Sequence, residues 1–477
     1  MEKQQTFYPG STSTTYPTSP PMTNTYHNVA PPAAQYQYPQ QSIPQPVQPV
    51  TVQYYSQSQP IPHPVQPATG WFSRNQKNKP QSNSLGAAVL IITTGGMNIA
   101  WSTGFGPTFM NMALYMRACW FVAAIIGVLI GAVLVTKLSK KIHLFISSLL
   151  VTIGGILFIA CSDDYAAVMI ARHLNGVAVG LIFVPTLVMA GEESIKYMRG
   201  MQASSVEAMS FSLGAFLQII YSTLWVYNNV YTFDSNQMHG LLCIIFGIMA
   251  LAFAQFLTIE SPVYFLVRNQ EQEALDSLRR LQRPGLITYE TYEQLEAHKS
   301  YITENNTMTF GESLHQSIPA LFRLCVYRAM IGMNFSLYVN TGIIVASTVS
   351  QGLTAWPFVI YGLLRWMGSF IGIFLIDSVG RKKPLVLSVI ISGALALGVG
   401  VIFGDVYNFL RTSEMTTALI LLFIYQFFAG MIGLSSSAYL SEAFPLAVKP
   451  YCIALAFIVE MLVQIVVTVA AVGIRTS

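Results

Sequence analysis

Charged side chains are scarce in this sequence of 477 residues, where Asp, Glu, Lys and Arg together make up 10%. Soluble globular domains carry about 25%. The mean hydropathy is +0.50, and so few charges cannot cover the apolar surface of such a chain in water. The composition therefore excludes an ordinary soluble protein and predicts a protein that lies in a lipid bilayer.

Cysteine is also sparse, because the sequence has only 5, and they are scattered. They form neither a metal-ligand spacing nor the disulfide framework of a small secreted domain. No nucleophile–base pair or phosphate-binding loop has a convincing spacing. We therefore expect no enzyme activity, no cofactor and no metal site. The net charge of +4, with Lys and Arg concentrated in particular loops, does not suggest a nucleic-acid partner.

The first 80 residues have no Lys, Arg, Asp or Glu between Lys3 and Arg74, and they hold 15 of the 24 prolines. Such a segment buries too little apolar area to offset its chain entropy. We expect residues 1–82 to be a disordered cytoplasmic tail. Docking of a protein partner is the alternative, because Pro-rich segments present polyproline II ligands.

Eleven apolar runs follow, each long enough to span about 30 Å of hydrocarbon. The predicted runs lie near residues 85–106, 118–136, 144–161, 165–190, 201–226, 240–258, 321–347, 355–376, 384–404, 416–440 and 451–472. We predict an all-α polytopic membrane protein with an N-terminal half at 83–262, a cytoplasmic helical linker at 263–320 and a C-terminal half at 321–477. Lys and Arg concentrate in alternate loops, which places the N-terminus inside by the positive-inside rule.

One pattern of charge occurs twice. Glu442 and Lys449 each lie 250 positions after Glu192 and Arg199, and each pair follows an apolar run. Repeated charges at helix ends indicate two related halves around a central cavity, the plan of many secondary transporters.

Five motifs occur in the order typical of one membrane-protein family. They are Ala171-Arg172-His-Leu-Asn-Gly176-Val-Ala-Val-Gly180, Glu192…Arg199-Gly200, Glu260-Ser261-Pro262, Asp377-Ser-Val-Gly380-Arg381-Lys382 and Ser441-Glu442-Ala-Phe444-Pro445…Lys449. Over residues 85–475 the chain resembles the sugar porters of the major facilitator superfamily. Its first apolar run, at 95–103, is similar to that of the insect facilitated trehalose transporters. The family has twelve helices, so the chain is expected to lack the last one.

The resemblance implies a latch at the cytoplasmic helix ends, where charges of the two halves pair when the inner side is shut. The alternative is that these charges only mark the interface and fix the topology. The candidate latch residues are Arg172, Glu192, Arg199, Glu260, Asp377, Arg381, Glu442 and Lys449.

The chain departs from the family where the resemblance implies sugar binding. Asn334 and Tyr338 are retained, but Glu207, Arg328 and Glu460 stand where the family has amides or an amide–Trp pair. Amides both donate to and accept from sugar hydroxyls, whereas a charged group does only one of these.

Intramembrane charges are functional hypotheses because they are costly there. The sequence has four such intramembrane charges, namely Glu207, Arg328, Glu460 and, in the eighth apolar run, Arg365. We expect an arginine to pair with Glu460. Each of these charges also has an alternative interpretation. The side chain of Arg328 could extend to the cytoplasm, Arg365 could form a purely structural ion pair, and Glu207 could be a solvated residue of the cavity.

The sequence thus predicts a facilitative transporter of a sugar or sugar-like solute, in the plasma membrane by family resemblance. The first apolar run has no acidic residue where proton-coupled relatives carry one, which favours facilitated diffusion over proton symport. Glu207 and Glu460 keep symport open. Two further alternatives remain, a non-transporting sensor or scaffold and a transporter of a charged or nitrogenous solute.

Overall fold

A computed structural model describes residues 75–106, 113–228 and 233–476. Most of the predicted disordered tail therefore lies outside the described residues. Within them the chain is helical and has no strand, which confirms the predicted all-α class.

In the described part of the chain, eleven long helical segments, numbered α1 to α11 in chain order, form the bundle. Three are composite. α1 combines Gly86–Ala100 with the π-helical Trp101–Phe105, α5 combines Arg199–Ser204, Ser205–Met209 and Ser210–Asn228, and α7 combines Phe310–Asn334 with Leu337–Gln351. The others are α2 (Leu114–Leu134), α3 (Lys140–Ala160), α4 (Tyr165–Glu193), α6 (Ser235–Phe256), α8 (Trp356–Ser378), α9 (Lys382–Gly404), α10 (Thr412–Glu442) and α11 (Lys449–Thr476).

Ten of these segments, α2 to α11, are long and apolar enough to cross a membrane by length and composition. α1 supplies a further apolar segment, with 15 α-helical residues followed by 5 π-helical ones. Loops 135–139, 194–198, 379–381 and 443–448 all lie at one end of the bundle, which we call the basic end.

Close helix packing repeats in the two halves, α1–α6 and α7–α11. A Cβ on Gly180 of α4 would lie 2.2 Å from the Ala124 carbonyl oxygen of α2, and a Cβ on Gly430 of α10 would lie 2.2 Å from the Arg365 carbonyl oxygen of α8. Gly430 follows Gly180 by the same 250 positions that separate Glu442 from Glu192. Small residues at these contacts let the backbones approach, as is common between membrane helices.

Three shorter helices, Pro262–Leu266, Glu271–Arg280 and Tyr289–Asn306, connect the halves at the basic end. Within the linker predicted at 263–320, the helix Glu271–Arg280 buries Ala274 and Leu278. α7 begins at Phe310, well before the predicted start at 321. Arg328 consequently lies deep in this helix.

Candidate functional site

A small cavity lies where the two halves meet at the middle of the bundle. Its volume is about 40 Å³, enough for a few water molecules and far below the roughly 300 Å³ or more of a typical ligand pocket. Polar and aromatic side chains from both halves line it, namely Glu207, Phe211, Ser212, Phe335, Arg365, Glu460 and Gln464. In this structure the cavity is therefore too small for a solute of sugar size.

Three predicted site residues meet beside this cavity. The Arg328 guanidinium donates from Nη1 and Nη2 to the two Glu207 carboxylate oxygens, at 2.7 Å each. Arg328 Nη1 also donates to Glu460 Oε2 at 3.0 Å. Arg328 is 0% exposed, so it does not reach the cytoplasm. Glu207 belongs to α5 of the first half, whereas Arg328 and Glu460 belong to α7 and α11 of the second.

Local helix geometry positions this network. Glu207 lies in the π-helical turn Ser205–Met209 of α5, and single π turns are frequent at functional sites. On α10, Ser436 accepts from Arg328 Nε at 3.0 Å and Ser437 donates to Glu207. Gly332 lets α7 approach α11, since a Cβ there would lie 3.1 Å from the Glu460 carbonyl oxygen.

Arg365 occupies the same cavity without a carboxylate partner. No ion pair of Arg365 occurs among the described residues; its Nη1 donates to Gln426 Oε1 at 2.9 Å. Its guanidinium lies 4.6 Å from the ring centre of Phe335. The expected ion pair with Glu460 is therefore formed by Arg328, and Arg365 is held by an amide and an aromatic face.

One amide side chain that the sequence interpretation missed lines the same cavity. Gln464 lines it, and its Oε1 is buried without a hydrogen-bond partner among the described residues. Gln464 follows Glu460 by one helical turn, so the i,i+4 spacing could have identified it. Asn334 accepts from Tyr425 at 2.9 Å and leaves its buried Nδ2 without a partner in that part of the chain. Tyr338 is 44% exposed and does not line the cavity.

Arg172 lies apart from the other predicted latch residues, which corrects its assignment. It is 20 positions before Glu192 on α4, which places it about 30 Å away along the helix. It donates to Asn98 Oδ1 at 3.1 Å and to Ser102, and its guanidinium lies 3.8 Å from the Trp101 ring centre. It belongs to a buried network inside the first half.

The charges at the basic end pair within each half, contrary to the expected pairing across the halves. Lys140 donates to Glu192 at 2.8 Å and lies 3.8 Å from Glu260. Arg381 forms two hydrogen bonds with Glu442, one of them at 2.6 Å. Burial disfavours the charged form of Arg381, but its hydrogen bonds and attraction to Glu442 outweigh that effect and raise its pKa. In each half, a basic residue at the start of the third helix holds the acid at the end of the fourth.

Asp377, a predicted latch residue, forms a hydrogen bond between the halves. Asp377 Oδ2 accepts from the backbone N–H of Met201 at 2.8 Å, which joins the end of α8 to the start of α5. The positive end of the α5 helix dipole favours this carboxylate. Arg199 bonds instead to the Ser194 carbonyl oxygen. Lys449 is buried beside Gly191 of α4 and forms no ion pair among the described residues.

The halves also touch at the other end of the bundle. Asn340 Nδ2 donates to the Thr103 carbonyl and hydroxyl oxygens at 3.0 Å each. Thr103 lies in the π-helical turn of α1, where Gly104 adopts a φ of +131°, a conformation that L side chains rarely adopt. The halves are thus in contact on both sides of the cavity.

Two repeated helical halves around a polar cavity at mid-bundle define a multi-pass membrane transporter. The chain belongs to the sugar (and other) transporter family, whose family model matches residues 71–476. This membership confirms the predicted transporter class and the prediction that the protein is not an enzyme.

Several proteins with known names are similar to this chain. Hexose transporter 2 of Kluyveromyces lactis is 23% identical over 426 residues, which cover 79% of this chain and 73% of that protein. The facilitated trehalose transporter Tret1 of Bombyx mori is 24% identical over 330 residues, covering 65% of this chain and 62% of that protein.

Among solved structures, the proton:xylose symporter XylE bound to 6-bromo-6-deoxy-D-glucose matches with a TM-score of 0.64 and 17% identity, covering 81% of this chain and 88% of that one. A partially occluded inward-open structure of XylE from E. coli matches with a TM-score of 0.59 and 18% identity, covering 82% of this chain and 89% of that one. At such identity the likeness supports the major facilitator fold alone, and it confirms the predicted fold class.

Proposed function

We propose that the protein carries a sugar or sugar-like neutral solute across a membrane, down its gradient, by exposing the central cavity alternately to each side. The balance of charge around the cavity supports a neutral solute. Two carboxylates, Glu207 and Glu460, face two guanidiniums, Arg328 and Arg365. A neutral solute adds no uncompensated charge to this buried set, whereas an ion would add one.

The free amide groups support a polyhydroxylated solute in particular. Among the described residues, Gln464 Oε1 has no hydrogen-bond donor and Asn334 Nδ2 has no acceptor, and sugar hydroxyls both donate and accept. Phe335 and Phe211 supply apolar faces at the same cavity. Hexose and trehalose are the solutes named for the two similar transporters, so we propose these as the first to test.

The buried network of the first half favours transport that is not coupled to protons. The buried Arg172 is bonded to neutral acceptors, Asn98 and Ser102. No carboxylate of the described residues forms an ion pair with it, so this network offers no acidic group for a proton. Glu207 and Glu460 are carboxylates at mid-bundle, but both already hold Arg328.

The orientation follows from the distribution of basic residues. Lys140, Arg381 and Lys449 lie at the basic end, and positively charged loops remain on the cytoplasmic side. We therefore propose that the basic end faces the cytoplasm and, from the family resemblance alone, that the protein acts in the plasma membrane. The proline-rich segment before residue 75 is then cytoplasmic, where it can dock a protein partner.

Saturable uptake of glucose, fructose or trehalose is expected in transport-deficient cells that display the protein, with a rate that is the same at pH 5.5 and pH 7.5. The measurement uses labelled sugars, a polyol, an organic cation and an organic anion, with surface expression checked. Accumulation above the external concentration, driven by a proton gradient, would contradict uncoupled transport. Uptake of none of the solutes by a folded surface protein would favour a sensor or scaffold.

A further inference from the structure

A single guanidinium at mid-bundle is shared between the two halves. Arg328 forms a bidentate pair with Glu207 of the first half and a single hydrogen bond with Glu460 of its own half. All three residues are at least 95% buried, with exposures of 0%, 3% and 5%. Such a set is stable only while every charge keeps a partner.

We propose that Arg328 is a positioning residue that locks the halves together through Glu207, and that Glu460 is its resident counter-ion while the lock is open. The inference concerns the movement of the halves, so it does not depend on the solute being a sugar.

The two carboxylates differ in what ties them to Arg328. Glu460 lies on α11, which packs closely on α7 at Gly332, so the Arg328–Glu460 pair moves as part of one half. Glu207 lies on α5, and its hydrogen bonds from Arg328 and Ser437 both cross between the halves. Separation therefore breaks the pair with Glu207 and leaves the pair with Glu460 intact.

This arrangement lowers the cost of opening. Without Glu460, separation would leave the Arg328 charge without a carboxylate partner at mid-bundle, because Arg365 is positive and Gln464 is neutral. With Glu460 in place, only Glu207 has to exchange its partner for water that enters as the halves part. The two carboxylates thus act in opposite directions on the same equilibrium.

The variants Glu207→Gln and Glu460→Gln test the proposal and serve as controls for each other. Both remove one carboxylate charge with little change of shape, and they differ only in which half loses it. Spin labels at positions 196 and 383 report the basic end and labels at 163 and 413 report the opposite end, since Lys196, Lys383, Asp163 and Ser413 are all exposed. Distances are measured by pulsed electron paramagnetic resonance in a cysteine-free background, in lipid nanodiscs without solute.

For Glu207→Gln we expect the ratio of separated to closed molecules to rise roughly tenfold or more, because a bidentate ion pair is replaced by a single hydrogen bond from Arg328 to a neutral amide oxygen. For Glu460→Gln we expect no rise, and a fall if the wild type is partly separated. A rise in both variants, or no rise in Glu207→Gln, would overturn the proposal.

A second variant, Glu207→Asp, tests the proposal even if Glu207→Gln does not fold. Glu207→Asp keeps the charge but is one methylene too short for the bidentate contact, so we expect an intermediate rise in the separated fraction. No rise there would also overturn the lock. Because these measurements use the protein without solute, they are independent of whether sugar uptake is found.

Discussion

Replacing Arg328 with glutamine is expected to destabilise the protein by about 3–5 kcal/mol, because removing one partner of a buried ion pair leaves uncompensated charge. Here it leaves two carboxylates, Glu207 and Glu460, which both depend on this guanidinium. The variant should also lose uptake. The measurement is thermal unfolding of the purified protein in detergent, followed by uptake in reconstituted vesicles.

Arg365→Gln is the matched control, since it removes the same charge from the same cavity. The variant loses the hydrogen bond to Gln426 and the contact with Phe335 but breaks no hydrogen-bonded ion pair among the described residues, so we expect a smaller loss of about 1–3 kcal/mol. An equal or larger loss for Arg365→Gln would show that Arg328 does not hold the network together.

Replacing Gly214 with valine is expected to separate α5 from α1 and to reduce the stability by about 3 kcal/mol, the upper range for overpacking. A Cβ at Gly214 would lie 1.9 Å from the Thr93 carbonyl oxygen. Backbone cannot yield at such a distance, so the helix that carries Glu207 must shift. The measurement is the yield of folded protein by size-exclusion chromatography, together with its thermal unfolding.

Gly393→Val provides the comparison for this prediction. Gly393 is also a glycine within a long apolar helix, α9, but a Cβ there would meet nothing within 4 Å. We expect a change of less than about 1 kcal/mol, as for a substitution away from the packed interior. Equal losses in the two variants would mean that valine disturbs these helices through its helix propensity rather than through the close approach of α5 and α1.

Long apolar runs and repeated charges were sufficient to predict the fold. The bundle follows from hydropathy, because an apolar run of about 20 residues in a bilayer has to be a helix. Helix ends were harder. α7 begins at Phe310, in a polar stretch where hydropathy gives no signal, and the predicted start at 321 made Arg328 look closer to the cytoplasm than it is.

The charged residues of the site could be selected from the sequence, but their partners could not. Glu207, Arg328 and Glu460 stand out because charge is rare in a membrane helix. Which arginine pairs with Glu460 depends on how α7, α8 and α11 are rotated about their axes. Packing contacts set this rotation, such as the one between Gly332 of α7 and the backbone of α11. The rotation brings Arg328 to both carboxylates and leaves Arg365 to Gln426.

Partners at the basic end were mispredicted for a related reason. Repeated spacing shows that Glu192 and Glu442 occupy equivalent positions in the two halves. It does not show whether each carboxylate pairs with a base of its own half or of the other half. The structure pairs each with a base of its own half. Asp377 does accept a hydrogen bond from Met201 across the halves, and sequence offers no signal for this contact because the donor is a backbone N–H.

A reversible cross-link between the halves tests most directly the claim that their separation carries the solute. Thr103 and Asn340 touch across the halves at 3.0 Å, away from the cavity, so cysteines at both positions in a cysteine-free background can form a disulfide. We expect sugar uptake into vesicles to stop on oxidation and to return on reduction, with neither single-cysteine variant affected. Undiminished uptake by the fully cross-linked protein would contradict transport by separation of the halves.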